Sequence, residues 1–126
     1  MPLIEADPYA RQVIGCAIEV HKTLGPSLLE SIYETCLCLE LTEAGLTFQR
    51  QPNLKLTYKN HPINAHLRPG LIVEQTLFIE IKSVQTFLPI HEAQLHAYLK
   101  LSGLKTGLIL NVYEPRLTDG IRRRLL

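Results

Sequence analysis

The stretch Leu77-Phe78-Ile79-Glu80-Ile81-Lys82 places two charges of opposite sign inside an otherwise apolar run. Successive side chains of a strand point to opposite faces, so Leu77, Ile79 and Ile81 share one face and Phe78, Glu80 and Lys82 the other. The first face is wholly apolar; the second carries a carboxylate and an ammonium. In a central strand covered by helices, burying those two charges is costly unless they pair or ligate something. Two readings follow: a structural Glu80/Lys82 pair, or a functional site.

Upstream of this strand the hydrophobic period is two. Phe48 to Gln51, Leu54 to Tyr58 and Leu71 to Glu74 read as strands, and Ile63 to Arg68 as a weaker extended stretch. Pro52-Asn53, Lys59-Asn60-His61-Pro62 and Pro69-Gly70 punctuate them, and Glu74-Gln75 is the hairpin turn into Thr76 to Lys82. Downstream, Leu88-Pro89 opens a helix to about Leu101, stopped by Ser102-Gly103, and Lys105 to Val112 is a buried strand. What remains is loop plus a short terminal element.

The N-terminal third is helical. Asp7-Pro8 reads as an N-cap and first helical residue, and Val13, Ile14, Ala17, Ile18 and His21 continue the period to Lys22. Leu24-Gly25-Pro26 breaks it. Ser27-Leu28-Leu29-Glu30 has the S-x-x-E form of a capping box, opening a second helix that ends at Ala44-Gly45. The order is α-α-β-β-β-β-α-β, and the helix between the last two strands predicts a crossover and a parallel pair in a mixed α/β sheet.

With 126 residues, the chain fits a single domain spanning 1–126. Hydrophobic residues at 46% and charged ones at 20% match soluble globular proteins and exclude disordered or fibrous classes. No apolar run approaches the ~20 residues of a membrane span. The N-terminus, with Glu5 and Asp7, does not read as a leader segment, so the expectation is a cytoplasmic protein without a membrane partner. Cys16, Cys36 and Cys38 fall in helical stretches as reduced thiols, and neither they nor His91 and His96, five apart, have zinc-ligand spacing. The 13 basic against 12 acidic residues leave a net charge of +1, but Arg116, Arg122, Arg123 and Arg124 gather at the C-terminus. Such a run either contacts phosphates or is a solvated face.

Gln94 and Tyr98 lie four apart on the third helix, hence on one face, with His91 a turn before. That helix follows the Glu80/Lys82 strand, so both side chains have the reach to overhang its charged end. In this combination Glu80-Ile81-Lys82 resembles the E-x-K core of the PD-(D/E)XK nuclease superfamily, and Gln94-x-x-x-Tyr98 resembles the Q-x-x-x-Y motif of its RecB-like branch. Segments from Val13 to Pro26, Leu28 to Tyr33, His91 to Leu95, Tyr98 to Lys105 and Pro115 to Gly120 are similar to the bacterial GxxExxY family in order and spacing.

The resemblance implies a restriction-endonuclease-like mixed sheet flanked by helices, and Mg²⁺- or Mn²⁺-dependent hydrolysis of a phosphodiester in nucleic acid, DNA in preference to RNA. Such ions take oxygen ligands, activate water and stabilise charge on the phosphate. Carried over by residue, Glu80, the Ile81 backbone carbonyl and Glu30 are metal ligands, and Lys82 is the catalytic cation. Gln94 and Tyr98 orient substrate or ligands, and Arg122, Arg123 and Arg124 contact nucleic acid. The chain departs from the family at Ser27, where the name motif has Gly, and at Gly70, where the superfamily's metal-binding Asp is expected. Glycine offers no ligand, so metal binding and catalysis are expected to be weakened or lost. Glu74 shares Gly70's parity but lies four residues on, roughly 13 Å away.

Each residue also has a structural account. Glu30 serves equally as a cap, Glu80 and Lys82 as an ion pair, and His91 as a structural residue. Three classes stay open: a metal-dependent nuclease, a silent relative that binds nucleic acid, and a protein-interaction module, including a homodimer.

Overall fold

The computed structural model describes residues 7–126; Glu5, used above against a leader segment, lies outside them. Two helices, α1 (Ala10–Leu24) and α2 (Glu30–Glu43), open the described chain. Strands β1 (Phe48–Arg50), β2 (Leu54–Tyr58), β3 (His61–Leu67), β4 (Leu71–Val73) and β5 (Leu77–Lys82) follow, then α3 (Pro89–Ser102) and β6 (Thr106–Asn111). A 3-10 turn at Leu117–Gly120 leads into β7 (Ile121–Leu125).

Five strands form one mixed sheet in the order β1-β4-β5-β6-β7, so β5 is central. It runs antiparallel to β4 and parallel to β6, and α3 is the crossover that the parallel pair requires. The two faces of β5 divide as its alternation predicts. Leu77, Ile79 and Ile81 pack with Val13, Tyr33, Leu37 and Leu41 of α1 and α2. Phe78 packs with Leu95, Leu99 and Ile109 beneath α3. Each such side chain contributes about 1.5–3 kcal/mol when fully buried. A slip of one residue would drive Glu80 and Lys82 into the α1/α2 core, so register is strongly fixed.

The weak extended stretch is a full strand. β2 and β3 form a separate hairpin whose two-residue turn, Lys59-Asn60, has φ of 48° and 67°, the geometry that matches strand twist. Pro62 falls inside β3, opposite Thr57, rather than in the turn. A two-stranded ribbon leaves each strand one unpaired edge, which tolerates the missing donor. The terminal element is likewise a strand, β7, which pairs antiparallel with β6 and forms one edge of the sheet.

Both N-terminal caps differ from expectation. Helix α1 begins at Ala10, because Asp7 Oδ1 accepts the Tyr9 N–H at 2.8 Å and holds a turn ahead of the helix. Helix α2 begins at Glu30 with Leu29 as an extended N-cap, and no capping box forms. The reason lies one turn on. The Tyr33 hydroxyl donates to the Gly25 carbonyl and accepts the Leu28 N–H at 3.2 Å, tying down the segment that Ser27 was expected to cap. Gly25, with φ of 76°, adopts a backbone that favours glycine before Pro26. Glu30 is thereby released from the cap.

Cys16, Cys36 and Cys38 are free. Burial pushes the Cys16 and Cys38 thiols up, so both hold their protons. Among the described residues no helix is long and apolar enough to cross a membrane.

Candidate active site

Strand β4 begins only at Leu71, opposite Ile79, so Glu80, Ile81 and Lys82 run beyond their partner on that side. The β4 edge of this segment therefore carries no ladder. On the other side the parallel ladder continues, with Glu80 opposite Ile109 and Lys82 opposite Asn111. Half of the strand end is built into the sheet and half is open.

Glu80 is 8% exposed, and Lys82 Nζ lies 3.6 Å from its Oε2. Burial raises the Glu80 pKa against the lowering pull of Lys82, and the negative charges of Glu30 and Glu34 raise it further. The ammonium only partly compensates the desolvated carboxylate. Glu80 is thus a buried acid under pressure to neutralise, by taking a proton or a further cation.

Glu30 reaches this strand end from α2. Its Oε2 accepts the backbone N–H of Ser83 at 2.8 Å, in the residue after β5. The S-x-x-E pattern thus serves the strand end instead of its own helix. Glu34, one turn on, accepts Arg50 Nε at 2.9 Å, which gives that carboxylate its own cation.

Tyr98 closes the opposite side. Its ring stacks on Phe78 with centroids 5.8 Å apart and planes inclined at 24°, which hangs α3 over β5. Burial pushes the Tyr98 hydroxyl's pKa up, and the Glu80 charge adds to it. Gln94 sits one turn earlier, half-buried on the same helical face. His91 is structural, because its Nδ1 accepts the Leu88 N–H at 3.0 Å and caps α3.

Gly70 sits across the open edge. The β4–β5 register, extended by one pair, sets it opposite Glu80, and a Cβ built on it would lie 2.7 Å from Glu80 Oε1. That is the position at which the resemblance leads one to expect the superfamily's aspartate. Here the place is not merely empty. Gly70 has φ of 51°, and a Cβ would collide with the backbone carbonyl of Ile79. The local backbone is built for glycine.

No other acid fills the gap. Glu74 Oε2 accepts both the Thr47 N–H at 2.6 Å and the Thr47 hydroxyl at 2.8 Å, at the far end of β4, and those bonds hold its pKa low. Asp119 is exposed in the 3-10 turn before β7. Among the described residues no three His, Cys, Asp or Glu side chains converge where they could hold a metal. Glu80 is paired with Lys82, Glu30 is engaged by Ser83, and the residue facing Glu80 across the open edge is glycine. The residues as they stand do not fit a complete divalent-metal site.

The arginine run is split by the pleat of β7. Arg122 and Arg124 pair with Ile109 and Gly107, whereas Arg123 pairs with Leu108, which belongs to the α1/α2 core face. Only the first two share the face of Glu80. Arg122 lies in one cross-strand row with Ile109 and Glu80, roughly 10 Å from the acid at ~4.8 Å per strand. Its guanidinium sits 4.5 Å from the centre of the Phe87 ring, which steadies it.

Asn111 was not anticipated from the sequence. It is fully buried; its Nδ2 donates to the Val84 carbonyl at 2.8 Å, and its Oδ1 accepts Val84 N–H at 3.0 Å and Tyr113 N–H at 3.2 Å. It clamps the segment after β5 against the segment after β6. The only sequence signal was a polar residue closing a run of Leu and Ile.

A family model described as the PD-(D/E)XK nuclease superfamily matches residues 7–124. Neither the curated proteins nor the solved structures give a match. The match spans both helices, the E-x-K strand at the centre of the sheet and the crossover helix that carries Gln94 and Tyr98. The chain therefore belongs to the PD-(D/E)XK nuclease superfamily.

Proposed function

We propose that this domain binds nucleic acid, DNA in preference to RNA, across the C-terminal ends of β5 and β6. We further propose that Mg²⁺-dependent phosphodiester hydrolysis there is weakened or lost. The observation that carries this reading is Gly70, set against the Glu80 carboxylate where a Cβ cannot enter without moving the Ile79 carbonyl. A superfamily site deprived of its strand aspartate keeps its cations but not its full ligand set. Lys82 is the group that meets a phosphate, held by Glu80 at 3.6 Å and 24% exposed at its side chain. Arg122, on the same face, supplies a second positive charge further along the sheet. Gln94 and Tyr98 bound the site from above.

Within the superfamily we place the chain in the GxxExxY branch. The positions of Glu30 and Tyr33 support this: one reaches the strand end and the other ties the segment before α2, so both motif residues have structural roles here. A silent nucleic-acid-binding relative is the second reading, favoured by the same glycine.

The test is cleavage of labelled single- and double-stranded DNA and RNA with Mg²⁺, Mn²⁺ or chelator, beside Lys82→Ala. Binding that weakens steeply with salt, together with metal-dependent cleavage that is slow or undetectable, supports the reading. Fast metal-dependent cleavage lost in Lys82→Ala restores a competent nuclease, and absence of any binding leaves the interaction-module class.

A further inference from the structure

Beside the charged strand end a groove of about 660 Å³ opens between the α1–α2 connection and the segment after β6, lined by Pro26, Ser27, Leu28, Ser83, Tyr113 and Pro115. It meets the site at Ser83, whose N–H is held by Glu30. Its walls are mainly apolar, and Tyr113 and Leu28 remain 44% and 39% exposed. Exposed apolar side chains gathered at the rim of a charged site mark a contact surface.

Both walls are held in place from within. Tyr113 N–H donates to Asn111 Oδ1, and the same Asn111 side chain clamps Val84, next to Ser83. Leu28 N–H donates to the Tyr33 hydroxyl, which also holds Gly25. Two buried side chains thus fix the main chain that carries an aromatic and an aliphatic side chain, so ordering that main chain costs a ligand little.

The groove has no basic lining residue. The cations lie on the α3 face, at Lys82 and Arg122. Phosphates are drawn to that face, whereas the groove offers an aromatic ring, two prolines and a leucine, which suit the flat face of a nucleobase. A base in a duplex has its faces covered by its neighbours; an unpaired base is free to stack on a protein ring. The groove also falls within the size of sites that take ligands of a few hundred Å³.

Resting on the nucleic-acid reading of the Glu80/Lys82 site, we propose that this groove receives an unpaired base of a strand whose backbone passes Lys82. The substrate class is therefore single-stranded nucleic acid or a frayed end, not intact duplex. Tyr113 is the residue that discriminates.

The experiment is fluorescence anisotropy with the full chain in chelator, using a labelled single strand of about 16 nucleotides and the blunt duplex of the same sequence. Parent, Tyr113→Ala, Tyr113→Phe and Lys82→Ala are compared. The expected result is single-strand binding about tenfold tighter than duplex binding, reduced about tenfold by Tyr113→Ala, kept by Tyr113→Phe, with duplex binding unchanged in both. Equal affinity for the two probes, or single-strand affinity indifferent to Tyr113→Ala, overturns the proposal. Lys82→Ala separates the two claims. Lys82-dependent binding that ignores strandedness and Tyr113 overturns the groove alone. Tyr113-dependent single-strand binding that ignores Lys82→Ala overturns the site reading and keeps the groove. Absence of binding to either probe overturns both.

Discussion

The two faces of β5 carry opposite solutions to burial. Toward α1 and α2, Leu77, Ile79 and Ile81 close an apolar core in which Leu77 and Ile79 are fully buried. Toward α3, Phe78 does the same for one residue, and the face then breaks into Glu80 and Lys82. The first face is explained by transfer of apolar surface out of water. The second is not, because its carboxylate is desolvated more than its partner compensates. Stability accounts for one face and not for the other, where Gly70 faces the Glu80 carboxylate with no side chain of its own.

The largest effect expected from probing this contrast is on the closed face. Ile79→Ala removes a fully buried side chain and is expected to cost about 2–5 kcal/mol in urea unfolding, with nucleic-acid affinity unchanged at temperatures where the variant is folded. A loss below about 1 kcal/mol would show that the core is looser than its burial implies.

At the edge between the faces, Gly70→Ala is expected to cost about 2–3 kcal/mol, from the left-handed backbone and from pressure on the Ile79 carbonyl. Gly70→Asp carries the same penalty and is not expected to restore cleavage. Restored metal-dependent activity in that variant would mean the backbone adapts freely, and that only the side chain is missing.

On the charged face the effect is smaller and depends on pH. The Glu80 pKa is raised by burial, so the folded state holds its proton at pH values where the unfolded state has released it. This destabilisation is fully present above the folded pKa and fades as pH falls through it toward the ordinary carboxylate range. Glu80→Gln is expected to match or exceed the parent Tm at neutral pH and to remove this part of the gain on acidification. A parent and variant with parallel Tm profiles between neutral pH and the carboxylate range would contradict a desolvated acid. The smallest effect is Arg122→Ala, expected to lower stability by about 0.5–1 kcal/mol through its loss from the Phe87 ring, and to reduce the salt slope of binding by about one.

The same contrast explains what could be read in advance. The apolar face of β5, the crossover helix α3 and the pair Glu80/Lys82 were legible because period two and misplaced charge are local signals. Glu30 was ambiguous in principle, since S-x-x-E serves a cap or a remote acceptor. Only the hydroxyl of Tyr33, which takes the Leu28 N–H, decided it. Strand β7 was hidden because Arg122 to Arg124 read as a solvated run, although charged residues are what an edge strand carries. The sequence drew attention to Gly70 but not to its left-handed backbone, because a backbone angle leaves no mark on composition.

The most direct measurement of the central claim is a Mn²⁺ titration of the full chain by calorimetry, parent beside Glu80→Gln. No saturable binding is expected below about 1 mM Mn²⁺, the behaviour of a site with too few carboxylates. A single saturable site at micromolar Mn²⁺, abolished by Glu80→Gln, would contradict it by showing that the glycine at position 70 leaves a working metal centre.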